Sequence, residues 1–280
     1  MQTIYRVLSK NNLNQFISDF DNLIKIVNNS QGELDLAIRN AYVNLYFKGN
    51  SLAKIEFNKD QSYKISIHKK FFEGTKGDSE EFYANKSFSG EYAILTLNAE
   101  KPPLRFLQKA HINQFAAMIK KVNYGEEIVF EQALITDNLG REDLIIIDRQ
   151  ITDKILRGKR LDLLALKQVE KGSNQFNFLV IEVKLGNNPE LRGDVAGQVT
   201  GYKNHIEEHF EDYRECYEIQ YIQKKDMGLK GYDMFDKVNI IKPIKGIVVV
   251  ASYSKIAKTS ILELRNKYPE IDVQLFEYIL

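Results

Sequence analysis

Hydrophobic and polar positions follow a period of two in the first part of this chain. Between about residues 33 and 100, the segments ELDLAIR, YVNLYFKGNSLAKIEF, SYKISIHKKFF and EYAILTLN all alternate in this way. Because successive side chains of a strand point to opposite faces, the alternation predicts strands, and KGNS predicts a hairpin turn. We therefore expect a small, mostly antiparallel sheet.

Apolar positions at helical spacing flank this predicted sheet. One such stretch covers about residues 13–27 and a second covers 104–122, which Gly125 would end as a C-terminal cap. We place the domain boundary at the end of the second helix. Residues 1–123 then form a smaller β-rich N-terminal domain with a linking helix, and residues 124–280 form a second domain.

Beyond residue 124, helical patterns alternate with buried strands. Helices are expected in EEIVFEQALITDN, DVAGQVTGYKNHIEEHF and KIAKTSILELRNKYP, and strands in DLIIIDRQI, RLDLLAL, FLVIEVK, KGIVVVASY and DVQLFEYIL. Such alternation indicates an α/β core around a mixed sheet, and an α+β protein when the whole chain is considered. The pattern assigns no element to residues 211–243.

The composition has no strong electrostatic bias. The chain has 39 Lys and Arg residues against 38 Asp and Glu residues, so any basic surface for nucleic acid has to be local. Cys216 is the single cysteine, which excludes an intrachain disulfide and indicates a reducing compartment. Apolar runs fall far short of the ~20 residues of a membrane span, and we expect a cytoplasmic protein.

Three ionisable residues lie inside the apolar strands of the second domain. Glu182 and Lys184 are two residues apart in LVIEVK, so their side chains share one face of the strand. Asp162 lies in RLDLLAL, and the polar loop KQVEKGSNQ between the two strands favours a hairpin. Pairing of these strands would bring Asp162 beside Glu182.

Two carboxylates in a half-buried place repel each other unless a proton or a cation neutralises them. Mg²⁺ is suited to such a pair, because it needs only one or two carboxylates and keeps its other positions for water and phosphate. Lys184 could then orient or deprotonate a water molecule, or offset negative charge on a phosphate. The alternative is an ordinary Glu–Lys or Asp–Lys ion pair at a strand end.

Three sequence blocks occur in an order that resembles a known family. They are GKRLDLLAL with Asp162, LVIEVK with Glu182 and Lys184, and GQVTGY at residues 197–202. Together they resemble the core of the PD-(D/E)xK nuclease superfamily, and within it the NucS-type and RecB-type endonuclease domains. The likeness covers roughly residues 126–208. The sequence departs from the superfamily's name in having Leu161 where the proline would stand.

The resemblance implies a restriction-endonuclease-like fold and a metal-dependent active site. Asp162 and Glu182 would bind one or two Mg²⁺ or Mn²⁺ ions, with the backbone carbonyl of Val183 as a further ligand. Lys184 would serve the attacking water.

The resemblance also implies supporting residues on two helices. Gln198 and Tyr202, four residues apart and so on one helix face, would support the site. An acidic residue on the helix before the sheet would be either Glu127 or Glu131, and we favour Glu127.

The function that these roles imply is hydrolysis of phosphodiester bonds, with DNA as the substrate expected by analogy and repair or defence as its setting. A cut through both strands would require two copies, which favours a homodimer. The alternative is a nuclease-fold module that has lost catalysis and binds nucleic acid or a partner protein.

Two groups of basic residues are further candidates for nucleic-acid contacts, although an ordinary solvated surface explains either group as well. The first group precedes the site: Arg149, Arg157, Lys159 and Arg160. The second mixes bases with aromatic residues in the N-terminal sheet: Tyr46, Lys48, Tyr63, His68, Lys69 and Lys70.

Two features of the helix after the LVIEVK strand have more than one explanation. His205 and His209 have the spacing of zinc ligands but no third partner, so we expect a solvated helix end. Gly193, Gly197 and Gly201 recur every four residues. Either the helix approaches the sheet or a phosphate backbone closely there, or it begins near Asp194 and leaves Gly193 in the loop.

Overall fold

The computed structural model describes residues 3–121, 125–153, 155–156 and 160–276. The chain divides into two compact units. The N-terminal unit comprises Tyr5–Tyr124 and Ile222–Asp233, and the C-terminal unit comprises Met1–Ile4, Gly125–Tyr221 and Met234–Leu280. The division therefore differs from a single boundary after residue 123, because a later segment of the chain belongs to the N-terminal unit.

A six-stranded antiparallel sheet with the order β1-β2-β3-β4-β6-β5 forms the N-terminal unit. The strands are β1 Leu34–Ile38, β2 Tyr42–Phe47, β3 Asn50–Phe57, β4 Tyr63–His68, β5 Asn85–Ser89 and β6 Tyr92–Leu97. The helices are α1 Lys10–Asp19, α2 Asp21–Asn28, α3 Lys69–Phe72 and α4 Lys109–Lys121.

The β2–β3 hairpin shows how the sequence produces this sheet. Lys48 and Gly49 connect the two strands with φ angles of 45° and 82°. Two successive positive φ values are typical of the tight turns whose twist matches that of paired strands. The KGNS turn predicted from the sequence is thus confirmed.

Two predicted elements of this unit end earlier than the apolar pattern suggests. The single helix expected over residues 13–27 is two helices, because Phe20 leaves the helical conformation with φ −115° and ψ 21°. The strand SYKISIHKKFF ends at His68, whose side chain accepts a hydrogen bond from the Lys70 amide and caps α3. Side-chain capping satisfies an amide that the helix leaves unpaired, so it favours the helix start.

The C-terminal unit contains a mixed sheet with the order β12-β11-β9-β8-β7, antiparallel from β7 to β9 and parallel from β9 to β12. Its strands are β7 Leu144–Ile151, β8 Leu161–Gln168, β9 Gln175–Leu185, β10 Asn239–Ile240, β11 Lys245–Ala251 and β12 Asp272–Phe276, and β10 pairs with β9. Its helices are α5 Glu126–Asp137, α6 Asp194–Glu208, α7 Phe210–Asp226, which continues into the N-terminal unit, and α8 Ser254–Lys267. The expected mixed α/β architecture and α+β class are confirmed.

Helices cover both faces of this sheet. On one face, apolar side chains of β8, β9 and β11, such as Ile181 and Val183, pack against Phe130 and Leu134 of α5. Fully burying one such side chain contributes about 1.5–3 kcal/mol to stability. On the opposite face, Phe178 contacts rings of α7. Glu182 and Lys184 belong to this second face, because they lie four and six residues after Phe178 on the same strand.

Helix α7 lies in the segment to which the sequence pattern assigned no element. Its buried rings recur every four residues, at Tyr213, Tyr217 and Tyr221. This periodicity is a helical signal, but the many charged residues between the rings weaken the contrast of the pattern. The prediction for Gly125 was also wrong: it is the N-cap of α5 and not the C-terminal cap of the preceding helix.

The structure bears on the single cysteine and on membrane-spanning segments, the two features considered from the composition. The thiol of Cys216 is buried, and burial raises its pKa, so little of it is present as the reactive thiolate. Every helix in the described parts of the chain is too short or too polar to cross a lipid bilayer.

Candidate active site

The register of β8 and β9 brings the two predicted carboxylates together. Leu163 pairs with Ile181, so the next position of the antiparallel ladder places Asp162 opposite Glu182. Residues directly opposite each other point to the same face. Asp162 Oδ2 accepts a hydrogen bond of 3.0 Å from the Val183 amide, which fixes its carboxylate beside β9. The hairpin pairing predicted from the sequence is confirmed.

Lys184 lies between two carboxylates. Its Nζ is 2.9 Å from Glu182 Oε1 and 2.9 Å from Glu190 Oε2. The other oxygen of Glu182, Oε2, is buried and has no hydrogen-bond partner among the residues that the structure describes. Glu182 as a whole is only 3% exposed. A buried oxygen without a partner destabilises the folded protein. A bound cation would remove this cost, so Oε2 is available as a metal ligand.

Burial and mutual repulsion perturb the acid groups of this site. Burial, reinforced by the neighbouring charge of Glu182, raises the pKa of Asp162 from 3.8 to about 8. Burial also raises the pKa of Glu182, although Lys184 opposes the change. Burial alone would lower the pKa of Lys184, but its contacts with Glu182 and Glu190 outweigh this effect and raise it. Without a bound cation, the site therefore favours one protonated carboxyl group and a charged lysine.

The structure places the two candidate acids of α5 differently. Glu127 lines the same cleft as Lys184, and its Oε1 accepts hydrogen bonds from the Leu185 amide at 3.2 Å and from Asn188 at 2.9 Å. Glu131 is 3% exposed and its side chain is bound by Arg149 and Gln150. Glu127 is thus the acid that a ligand in the cleft can reach.

Gln198 and Tyr202 both lie near the site but contact different groups. Gln198 Nε2 donates a hydrogen bond of 3.2 Å to Glu190 Oε2, so it reaches Lys184 through this carboxylate. Tyr202 donates a hydrogen bond of 2.9 Å to the carbonyl oxygen of Arg160, and burial raises its pKa to about 12. Tyr202 therefore fixes the start of β8, next to Asp162.

These groups open into a cleft of about 1250 Å³ that runs along α6. Among the described residues, the charged side chains that line it are five acidic and two basic ones: Glu127, Asp162, Glu182, Glu190 and Asp194 against Arg160 and Lys184. This excess of negative charge favours a cation.

The donor atoms fit a hydrated divalent cation better than a fully coordinated one. Within the described ranges, no three His, Cys, Asp or Glu side chains form a group that could hold a metal ion by themselves. Asp162 and Glu182 provide two hard oxygen donors, one of them the unpartnered Oε2 of Glu182. Two carboxylates are enough for Mg²⁺, which retains several water molecules in most protein sites.

The two described members of the basic group before the site, Arg149 and Arg160, have unlike environments. Arg149 is 1% exposed and binds Glu131 at 3.1 Å and Gln132 at 2.7 Å, so its assignment as a phosphate contact was wrong. A buried guanidinium needs such partners, which the sequence could not reveal. Arg160 is exposed and lines the cleft. Arg157 and Lys159 lie outside the described residues.

The aromatic and basic residues of the N-terminal sheet form no single surface. Tyr63 is 1% exposed and donates to Asp19, so it belongs to the core. Tyr46 is also buried, and Lys48 pairs with Glu33. His68 lines a shallow pocket of about 350 Å³, Lys69 Nζ lies 4.9 Å from the centre of the Phe88 ring, and Lys70 is exposed.

His205 lies in the cleft, and the expectation of a solvated helix end was wrong for it. Its side chain is 10% exposed, and its Nε2 contacts Asp153 Oδ2. Asp153 also accepts hydrogen bonds from Tyr213 and from the amides of Ile155 and Leu156. Burial would raise the pKa of Asp153, but these hydrogen bonds outweigh it and lower the pKa. Asp153 was not predicted from the sequence, since only the fold brings it to His205.

Glu190 and Asn188 were not predicted as site residues either. Both lie in the turn between β9 and α6, where Asn188 accepts a hydrogen bond from the Glu190 amide at 3.0 Å. The sequence NNPELRGD contains this turn, and an Asn before a Pro is a usual start of one. The closeness of this turn to the Glu182–Lys184 strand is the signal that could have revealed them.

The three glycines of α6 differ in what they do. Gly193 has a φ of 150° and is the N-cap of the helix, which agrees with a helix start at Asp194. At Gly197 and Gly201, an added Cβ would meet no atom of the described chain within 4 Å. Close approach of α6 to the sheet therefore does not explain them, although each costs up to about 1 kcal/mol of helix stability relative to alanine.

Comparisons with protein-family models, curated proteins and solved structures returned no match. The function of this protein has to be inferred from the geometry of its own site and from the resemblance of its three sequence blocks.

Proposed function

We propose that this protein is a metal-dependent nuclease that hydrolyses phosphodiester bonds. The observation that carries the proposal is the pair of carboxylates, the half-buried Asp162 and the buried Glu182, placed opposite each other beside Lys184. Their charges repel, burial disfavours both, and Glu182 Oε2 lacks a partner among the described residues. A protein that needed only stability would gain from apolar side chains at these positions.

Asp162 and Glu182 would hold the Mg²⁺ or Mn²⁺ ion, with the Val183 carbonyl as the further ligand that the resemblance implies. Such a cation supplies positive charge to phosphate oxygens and lowers the pKa of a bound water. The Val183 amide holds the Asp162 carboxylate in position.

Lys184 acts as a positioned cation. Glu182 and Glu190 hold its ammonium from two sides and favour its charged form. From there it donates hydrogen bonds to the attacking water or to a phosphate oxygen and offsets charge in the transition state. Gln198 orients Glu190, and Glu127 contributes a further acceptor in the cleft.

DNA is the substrate that we propose, because the three blocks resemble DNA-cleaving endonuclease domains. If the substrate is a duplex cut on both strands, a homodimer supplies the second site. Arg160, exposed at the cleft, is the described member of its basic group that can contact phosphate.

The test compares wild type with Lys184→Ala and Glu182→Gln on labelled duplex, single-stranded, flap and mismatched DNA and on a single-stranded RNA. Each reaction is run with Mg²⁺, with Mn²⁺ and with EDTA. We expect cleavage by wild type with metal only, and a loss of about 10²-fold or more in either variant.

The matched control is Glu208→Gln, which removes an exposed carboxylate of α6 outside the cleft and should cleave like wild type. Metal-independent cleavage, or full activity of Lys184→Ala, would refute the proposal. Binding of nucleic acid without cleavage by wild type would instead support the module that binds and does not cut.

A further inference from the structure

One row of positions on α6 faces the cleft along three turns. Gly197, Gly201 and His205 follow each other at intervals of four residues, and all three line the cleft. Each step advances about 6 Å along the helix axis. Two turns of this row therefore expose bare backbone, and the third carries an imidazole ring.

The described residues give no reason for glycine at the first two of these positions. Elsewhere in this unit a glycine is explained by its surroundings: an added Cβ at Gly186 would overlap the Ser252 carbonyl oxygen. At Gly197 and Gly201 an added Cβ would meet no atom of the described residues within 4 Å, and neither glycine has a positive φ. Both residues weaken the helix, and no described residue accounts for this cost, which favours a ligand in the cleft as its reason.

Two independent observations indicate a ligand in the same cleft. Glu182 is buried to more than nine-tenths, and its Oε2 has no hydrogen-bond partner among the described residues. His205 is oriented by a contact from its Nε2 to Asp153, whose side chain is fully buried. Tyr213 and two backbone amides hold Asp153 in turn. Because these contacts fix the orientation of the His205 ring, its other edge can contact a ligand in the cleft.

We propose that the row of Gly197, Gly201 and His205 is the track of one nucleic-acid strand, whose phosphodiester backbone lies directly against α6. The two glycines allow the backbone to approach the helix without a side chain between them. His205 ends the track and contacts a phosphate through the ring edge that Asp153 leaves free. This inference rests on the proposed nuclease function and adds the path by which the strand reaches Asp162 and Glu182.

Leucine at either glycine position should obstruct the track without disturbing the fold. Binding is measured by fluorescence anisotropy in the Lys184→Ala background with Mg²⁺, using a fluorescein-labelled 20-nucleotide single strand and the matching duplex. We expect Gly197→Leu and Gly201→Leu to weaken binding about tenfold or more. Thr200→Leu, exposed on the same helix but outside the cleft, is the matched control and should bind within about twofold of its background.

Alanine variants separate a ligand track from a structural glycine. Gly197→Ala and Gly201→Ala should keep or raise the melting temperature, because alanine favours the helix and meets no atom, while binding weakens. For the ring, His205→Gln should weaken binding about threefold to tenfold, whereas His209→Gln, one turn further on, should not. Asp153→Asn should weaken binding by the same factor as His205→Gln. This result would identify Asp153 as a positioning residue.

The outcomes distinguish this inference from the proposed function. If wild type cleaves and both leucine variants bind like Thr200→Leu, the track is overturned and the nuclease proposal stands. A lowered melting temperature in the alanine variants would also overturn it, since the glycines would then be structural. If wild type neither binds nor cleaves any form, the proposed function fails and this inference fails with it. If the leucine variants lose more affinity for the single strand than for the duplex, the single strand is the occupant, and the reverse result identifies the duplex.

Discussion

The ammonium of Lys184 lies 2.9 Å from Glu182 Oε1, two residues earlier on the same strand. The pleat of β9 puts both side chains on one face, so this ion pair follows from local geometry alone. An ordinary ion pair explains Lys184, but it explains neither Asp162 on the neighbouring strand nor the unpartnered Oε2 of Glu182. Those two features favour the proposed active site over a strand-end salt bridge.

Asp162→Asn should stabilise the metal-free protein at alkaline pH. The folded state raises the pKa of Asp162 from 3.8 to about 8, so between these values the folded protein keeps a proton that the unfolded chain has lost. Stability from this group is present at low pH and is lost as the pH rises toward 8. At pH 8.5 in EDTA, we expect the variant to gain at least about 1 kcal/mol in urea unfolding.

The same comparison at pH 4 should show almost no difference, because the carboxyl group is then protonated in the folded state. Asp233→Asn, at an exposed position, is the control that should change little at either pH. A variant that is less stable than wild type at pH 8.5 would contradict the assigned direction of the pKa shift.

Divalent cations should raise the melting temperature of the wild type and not of variants at the two carboxylates. Binding to the folded state alone stabilises by about 2.7 kcal/mol at a cation concentration of 100 times Kd. Thermal unfolding of wild type, Asp162→Asn, Glu182→Gln and Glu208→Gln is followed with Mn²⁺, Mg²⁺ and EDTA. Glu208→Gln should respond like wild type, and an equal response of Glu182→Gln would exclude Glu182 as a ligand.

Arg149→Met should destabilise the protein, whereas Arg160→Met should not. Arg149 is buried with Glu131, and removing one member of a buried ion pair typically costs about 3–5 kcal/mol. Adding Glu131→Leu to Arg149→Met should restore much of this loss, because no unpaired charge then stays buried. Urea unfolding measures the three variants, and an unchanged stability of Arg149→Met would return Arg149 to the phosphate-binding candidates.

Gly186→Ala should destabilise the protein by about 1–3 kcal/mol, since overpacking forces neighbouring atoms to move. The added Cβ would overlap the Ser252 carbonyl oxygen and lie 2.8 Å from Ala257 Cβ, and neither backbone can yield easily. Gly197→Ala is the matched control and should be neutral or stabilising. Equal melting temperatures of the two variants would show that the backbone at Gly186 has room beside Ser252 and Ala257.

The sequence predicted structure correctly where the residues of one segment determine the geometry of that segment. Alternation predicted β1 to β4, β6 and the β2–β3 turn, and buried apolar runs predicted β7 to β9, β11 and β12, whereas β5 and β10 were not predicted. The i, i+2 spacing predicted that Glu182 and Lys184 share a face. Even the pairing of Asp162 with Glu182 could be predicted, because a short polar loop allows a hairpin and a hairpin determines its neighbours. These inferences need only short-range sterics and the burial of apolar side chains.

Tertiary structure alone decided which charged residues are buried and which reach the cleft. Arg149 and Arg160 look alike in the sequence, yet one is enclosed with Glu131 and the other is exposed. His205 meets Asp153 across 52 positions of the chain. The reason is physical: the partners of a polar side chain come from distant segments of the chain. A local sequence pattern therefore does not determine whether the free energy of such a contact favours burial.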